Sequence, residues 1–374
     1  MHNSKIGIVT FPISNAGMMP LQNMLKIILR LTDNVHIITG NSGFDVCQQF
    51  NNIHCESVHH FSGSNAVTRI YNYAKTQLKI TFHMIKISRS VDFWIFPISS
   101  DDLILSVILA KIQRKPVIMA LTSSSESVMR NRSDFLSPIV VLFSKINYFL
   151  ASSIILYSPN LISEWGLDAY RHKIQIAHEH FLDFDTFTIT TPFQNRSLLI
   201  GYIGRLSNEK GVHHFIHALP AILISQQNLH ILICGDGDLK KSVETILLKD
   251  GFSNHINYLG WISHEEIPQY LNQLRLLVLP SYTEGLPNIM LEAMACGTPV
   301  LATPVGTIPD VIQDGETGFI MKDNSPECIT DNVLRVLESS DLESVSQQAR
   351  RFVMREFTFE KTMEMWTDIL RNVE

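Results

Sequence analysis

The sequence predicts an α/β protein built from two Rossmann-like halves, and three observations carry that prediction. Short β-rich runs, each closed by a glycine- or serine-bearing turn, alternate with helical stretches, which is the pattern of a parallel sheet covered on both faces. The series occurs twice, once from residue 6 and again from residue 198. The chain has 374 residues, which suits two domains at roughly 100–200 residues each.

In the first series, 6–10 reads as a strand, 21–31 as a helix and 35–39 as the next strand. Runs at 92–96, 116–121 and 153–156 read as later strands, with helices between them. The apolar stretch 135–157 is interrupted by Pro138, Lys145 and Asn147, so it reads as a buried helix followed by a buried strand rather than a membrane span. The stretch 183–197, with its Asp, Thr, Pro, Asn and Ser, reads as a linker. The second series opens with a strand at 198–203 and a helix at 212–225, followed by strands at 229–234 and 276–279. Ser263-His264-Glu265-Glu266 fits a capping box that opens a helix to 272. A helix over 288–296 is stopped by Gly297 and Pro299. Ser325-Pro326 opens another helix, with serine as cap and proline at its first position. The predicted domains are 1–185 and 186–355, followed by a C-terminal helix in 356–374. Two facing sheets of this kind place the expected site beyond the carboxyl ends of their strands, in the cleft between the halves.

Composition narrows the class. Hydrophobic residues make up 45% and charged residues 18%, which excludes a disordered or fibrous chain. The net charge of -6 is unlike the basic footprint of a nucleic-acid binder, so no nucleic-acid partner is expected. The five cysteines form no CxxC pair and read as reduced core thiols of a cytoplasmic protein. The first residues read as a strand, not a signal peptide.

Three segments of the second half carry chemistry. Gly204-Arg205-Leu206-Ser207-Asn208-Glu209-Lys210-Gly211 leaves a strand and enters a helix. Such a turn points N–H groups and a positive dipole end outward. Arg205 adds a fork and Lys210 a point charge, a combination suited to a diphosphate; the plainer reading is a solvated turn with an ordinary ion pair. Gly235 and Gly237 follow a strand end and permit close approach of a ligand. Asp236-Gly237-Asp238 and Asp183-Phe184-Asp185 match the short Asp-x-Asp pattern of metal sites, but turns favour Asp and Gly anyway, and no metal is expected. The third segment runs from Pro280 to Val300. Glu284 lies in its loop with Gly285, Leu286, Pro287 and Asn288. Glu292 sits among Leu291, Ala293 and Met294, where a buried carboxylate needs partners. A ribose offers two adjacent hydroxyls to such a group; otherwise Glu292 faces solvent on its helix.

This third segment resembles the Glu-x7-Glu signature of the large retaining glycosyltransferase family 4, which has the GT-B fold. The resemblance extends through Gly204 to Gly211, Gly235 to Gly237, Gly260-Trp261, Gly306 to Val311 and Gly315 to Phe319, in order across the second half. It implies that Arg205 and Lys210 hold the diphosphate of a nucleotide-sugar donor, that Glu292 binds the ribose, and that Glu284 contacts the donor sugar. Backbone groups of Gly285 to Asn288 would hold sugar hydroxyls or phosphate, with Gly204, Gly235 and Gly237 beside them. The implied reaction moves a hexose from a UDP- or GDP-sugar to a glycan, lipid-linked or other hydroxyl acceptor, with retention and without a metal. The nucleotide sugar is a substrate, so no cofactor is implied.

The first half departs from that pattern. Its first loop, Phe11 to Met19, lacks paired glycines, leaving Gly17 as the close-approach glycine. Leu121-Thr122-Ser123 stands where many members carry a histidine. His178-Glu179-His180 replaces an Asn-Gly run, although Asp183 and Phe187 fit its tail. His213, His214 and His217 include an i, i+4 pair that reads as a metal pair or, more plainly, as a helix face. The stretch 103–115 joins an apolar helix to Lys111, Arg114 and Lys115, which suits an anionic membrane surface or a core helix with a basic end. The implied C-terminal helix places Trp366 and Ile369 against the first half. These departures keep one alternative open, a non-catalytic GT-B partner or nucleotide-sugar-binding protein.

Overall fold

The computed structural model describes residues 4–123, 137–249 and 254–372. Two compact units result: Met1–Phe181 with Thr362–Glu374, and Leu182–Lys361. The predicted boundaries at 185 and 355 thus differ by a few residues from those observed.

The first unit alternates strands and helices in the order β1 (Ile6–Val9), α1 (Met18–Leu31), β2 (Val35–Thr39), α2 (Ser42–Cys47), β3 (Ile53–Ser57), α3 (Ala66–Ile87), β4 (Phe93–Pro97), α4 (Ile104–Ile112), β5 (Val117–Ala120), α5 (Ser137–Leu150), β6 (Ser153–Leu156), α6 (Asn160–Glu164) and β7 (Ile174–Ile176). Its seven strands lie in the order β3-β2-β1-β4-β5-β6-β7, all parallel. Strand β1 pairs β2 through Ile6 and Val35 and β4 through Ile6 and Phe93. The central strands are buried throughout, as Phe93–Pro97 illustrates, because helices cover both faces. Helix α3 starts at a reciprocal cap: Asn65 accepts from the Thr68 N–H, and the Thr68 side chain answers the Asn65 N–H.

The second unit repeats the plan with β8 (Leu199–Ile203), α7 (Val212–Ser225), β9 (His230–Cys234), α8 (Lys240–Lys249), β10 (Ile256–Gly260), α9 (Ile267–Leu271), β11 (Leu276–Leu279), α10 (Asn288–Ala295), β12 (Val300–Ala302), α11 (Ile308–Val311), β13 (Phe319–Ile320), α12 (Pro326–Leu337) and α13 (Leu342–Glu356). The sheet order is β10-β9-β8-β11-β12-β13, again parallel. Tyr202, Phe215, Ile231, Val278 and Val333 join one core. Ser325 caps α12 by accepting from the Cys328 N–H. The chain then returns to the first unit through α14 (Phe359–Arg371), where Trp366 and Ile369 are buried. Trp366 Nε1 donates to the His178 carbonyl at 2.9 Å, and Thr362 Oγ1 donates to the His180 carbonyl at 3.1 Å.

Several readings are corrected. The helix expected over 263–272 forms only at Ile267–Leu271, because half of the box is made. The Ser263 N–H donates to Glu266 Oε2 at 2.9 Å, but the helix start at Glu266 has no side-chain cap bond. The helix within 135–157 is not buried. Only Ser144, Asn147 and Tyr148 of α5 are buried, while Ile139, Leu142 and Phe149 face outward. Strands β3, β7, β10, β12 and β13 carry no reading from sequence. Among the described residues no helix is long and apolar enough to cross a membrane.

Candidate active site

The loop after β8 lies at the centre of the second unit's carboxyl-end edge, since β8 sits between β9 and β11. Tyr202 is buried and its hydroxyl donates to the Arg205 carbonyl at 2.7 Å, fixing the loop's first residues. Gly211 closes the loop in the left-handed region (φ 65°) and precedes α7. A side chain there would place its Cβ 1.9 Å from the Pro280 carbonyl oxygen, so glycine is required twice over.

The loop after β9 packs against this one. The Gly204 N–H donates to the Cys234 carbonyl at 3.0 Å, and the Leu206 N–H donates to the Asp236 carbonyl at 2.9 Å. A Cβ on Gly235 would stand 1.9 Å from the Gly204 carbonyl oxygen, and one on Gly237 2.5 Å from that of Leu206. The close approach made by these glycines is therefore between two backbones. Gly204 itself leaves ordinary room, with Tyr202 the nearest neighbour at 3.4 Å.

The loop after β11 meets the same segment from the other side. The Tyr282 N–H donates to the Glu209 carbonyl at 2.9 Å. Lys210 Nζ donates to both Glu284 carboxylate oxygens at 2.7 Å, and Ser281 Oγ adds a third bond at 2.7 Å. The Glu284 side chain is 8% exposed and that of Lys210 26%, so this charge pair is largely shielded from water and correspondingly strong. Arg205 is 61% exposed and pairs with Glu209 at 2.7 Å, the ordinary ion pair of a surface turn. Thr307 fastens the far side of the loop: its N–H and its hydroxyl both donate to the Gly285 carbonyl, at 3.1 and 2.7 Å. Leu286 and Pro287 are buried, and Pro287 leads into α10 at Asn288.

Glu292 lies in α10 and is 4% exposed, not facing solvent. Its partner is His264, whose Nε2 stands 2.9 Å from Glu292 Oε1. The hydrogen bond to Glu292, opposed by burial, raises the His264 pKa above its ordinary value. The Phe187 ring lies against that of His264, tilted, with centres 5.5 Å apart. Sequence reasoning missed His264, and also Arg196. Arg196 is 4% exposed and donates to the carbonyls of Thr191, Leu274, Gly297 and Cys296 and to Thr298 Oγ1. It fastens the segment entering the second unit to the C-terminal end of α10. Burial lowers its pKa to about 10, so it stays charged at neutral pH.

The structure brings Gly204, Arg205, Lys210, Gly235, Gly237, Glu284, Gly285, Leu286, Pro287, Asn288 and Glu292 to one end of one sheet. Gly17 belongs to the first unit, where a Cβ would stand 3.1 Å from Ile13 and 3.3 Å from Ile98, so packing already explains it. Both Asp-x-Asp runs serve turns. Asp236 accepts from the Gly237 N–H, and Asp183 accepts from the Asp185 and Thr186 N–H groups. His213 and His217 meet at 3.2 Å on α7, while His214 bonds the Tyr282 hydroxyl.

Residues 184–352 match the family described as glycosyl transferases group 1. The second unit carries a glycosyl transferases group 1 domain. That domain contains every residue of the constellation above, and Gly17 lies outside it.

Among curated proteins the chain is 29% identical over 160 residues to an uncharacterized glycosyltransferase of Methanocaldococcus jannaschii, covering 43% of this chain and 44% of that protein. It is 27% identical to the alpha-D-kanosaminyltransferase of Streptomyces kanamyceticus, covering 57% and 60%. It is 26% identical to the capsular polysaccharide biosynthesis glycosyltransferase CapM of Staphylococcus aureus, covering 63% and 67%. The chain thus spans about half the length of the first of these relatives and somewhat more of the other two. Among solved structures, Anabaena HepE in complex with UDP and glucose superposes with a TM-score of 0.75 at 17% identity, over 97% of this chain and 99% of that one. Sucrose-phosphate synthase of Thermosynechococcus elongatus gives 0.75 at 15%, over 99% of both. At these identities the likeness speaks for the fold, an α/β GT-B arrangement of two parallel-sheet Rossmann-like domains.

Proposed function

We propose that this chain is a retaining, metal-independent glycosyltransferase of family 4. It transfers a hexose from a UDP- or GDP-sugar to a hydroxyl of a glycan or lipid-linked acceptor, as a cytoplasmic enzyme in peripheral contact with the membrane. The observation that carries the reading is the shielded Lys210–Glu284 pair, set between two glycine-lined backbone loops and a helix start. The printed names of the relatives, a kanosaminyltransferase and a capsular polysaccharide enzyme, favour sugar transfer.

In this reading the donor diphosphate lies over the Gly204–Gly211 loop. Arg205, tethered only at the surface by Glu209, swings onto a phosphate oxygen, and Lys210 is shared between the diphosphate and Glu284. The bond from the anomeric carbon to the leaving oxygen breaks, and its electron pair stays on the diphosphate. The acceptor oxygen attacks the same face, and its proton passes to the leaving phosphate oxygen. Positive charge fixed at the leaving group before reaction lowers the barrier because no solvent must reorganise. Glu292 accepts from the two ribose hydroxyls, held in place by His264.

A thermal-shift screen of UDP, GDP and their sugars tests this, with Glu292→Ala and Arg205→Ala beside the unaltered protein. A ligand at 100 times its dissociation constant stabilises by about 2.7 kcal/mol. The expected outcome is a shift of a few degrees with one nucleotide family, absent in both variants. Turnover then follows, and Lys210→Ala lowers kcat by about 10²–10³. No shift with any donor would instead favour a non-catalytic partner protein, to which the altered first-half loops already point.

A further inference from the structure

The layer formed by α3, α4 and α5 on one face of the first sheet carries apolar side chains on its outer surface as well as inside. Helix α4 packs against both α3 and α5. Their inward faces mix apolar side chains (Ile80, Met84, Ile104, Val107) with polar ones that are bonded. Tyr148 donates to Asp101 Oδ2 at 2.7 Å, Asn147 to the Asp101 carbonyl at 2.9 Å, and Gln77 to the Asp102 carbonyl at 3.2 Å. The outward faces are apolar. Exposed are Leu78, Phe82 and Ile85 on α3, Leu105, Ile108 and Ile112 on α4, and Ile139, Leu142, Ile146 and Phe149 on α5, with Ile112 and Phe149 the most open at 74% and 73%. On each helix these residues recur at three- or four-residue spacing, so each helix presents a stripe. Scattered exposed hydrophobes need no explanation, but three adjacent stripes do.

Charge identifies what covers them. Residues 66–90, 104–115 and 137–150 contain no Asp or Glu, in a chain whose net charge is -6. Exposed Lys75, Lys79 and Lys86 border the α3 stripe, Lys111 and Arg114 the end of α4, and Lys145 stands between Leu142 and Phe149. Lys86 reaches over the Phe82 ring, 4.6 Å from its centre. A second copy of this chain would set these cations against themselves across a two-fold axis, which like charge opposes. A bilayer with anionic headgroups satisfies both halves of the surface, taking the side chains of the stripe at its acyl boundary and the ammonium groups at its phosphates.

We propose that the outer face of α3, α4 and α5 is a membrane-docking surface for anionic lipid. This deepens the peripheral-membrane part of the proposed function by giving it a face. It does not rest on the donor assignment, and vesicle binding and donor binding are measured separately, so either can fail alone.

The test is co-sedimentation of the whole protein with sucrose-loaded vesicles of phosphatidylcholine alone or mixed with phosphatidylglycerol. The unaltered protein is expected to sediment with the mixed vesicles, less so at high salt, and weakly with phosphatidylcholine alone. Replacing three ammonium groups (Lys75→Gln, Lys79→Gln, Lys86→Gln) weakens partition on the order of a hundredfold. Leu142→Ser with Phe149→Ser weakens it by about tenfold or more. Both variants alter only exposed side chains and are expected to keep the unfolding temperature and any donor-induced shift. Two results would overturn the proposal: equal sedimentation with and without phosphatidylglycerol, or a solution dimer of the unaltered protein that the Leu142/Phe149 variant loses.

Discussion

Glu292 and His264 form a pair whose strength depends on pH in a definite direction. The His264 pKa is raised by its bond to Glu292, so folding holds the proton more tightly than the unfolded chain does. The pair therefore contributes fully below the ordinary histidine value of 6.5 and is lost as pH rises through the raised one. His264 is 45% exposed, and solvent screening limits the contribution to about 0.5–1 kcal/mol. Thermal unfolding of the protein beside His264→Gln is expected to show a difference below pH 6 that vanishes at pH 9; a constant difference would mean packing against Phe187, not charge, holds the ring. Sequence alone supplied Glu292 and its need for a partner, because a carboxylate in an apolar run is costly unless paired. It could not supply the partner, since His264 lies 28 positions upstream at no helical or strand spacing from it. Arg196 was illegible for a related reason: its five acceptors are mostly backbone carbonyls brought together only by folding.

Strands were legible where they are long and mostly buried, and illegible where they are half-exposed or very short. The runs at 35–39, 153–156 and 276–279 coincide with β2, β6 and β11, because strands covered on both faces read as runs dominated by apolar residues. Strand β3 (Ile-His-Cys-Glu-Ser) is a half-exposed edge, and β12 and β13 have three and two residues, too few for any period. Helix α5 shows that apolar composition does not by itself mean burial, since its buried positions are Ser144, Asn147 and Tyr148. The three loops of the site were readable from their glycines, and one contrast tests why those glycines are there. Gly211→Ala must hold a left-handed residue and push Pro280 aside, and is expected to destabilise by about 2 kcal/mol or more with loss of donor-induced stabilisation. Gly204→Ala, whose added Cβ meets only ordinary contacts, is expected to keep its unfolding temperature within a few degrees. Equal behaviour of the two in a thermal melt would remove the inter-loop contact as the explanation.

Across the molecule, the first unit is discontinuous: its last helix arrives only after all of Leu182–Lys361. Trp366 on that helix is fully buried and anchored to His178. Trp366→Ala is expected to cost about 3–5 kcal/mol, and denaturant unfolding should assign the loss to the first unit. A loss appearing instead in the second unit would contradict the division of the core.

That discontinuity sets an order of assembly during synthesis. When the ribosome has made the first 181 residues, seven strands exist but the groove awaiting Trp366 is still open, with the His178 and His180 carbonyls facing it. The second unit, continuous in sequence, can close its own core while the first waits. The unit whose outer layer is rich in exposed apolar side chains is thus the later of the two to be sealed. In a cell producing this chain, that interval is when chaperones have most to hold and when aggregation begins.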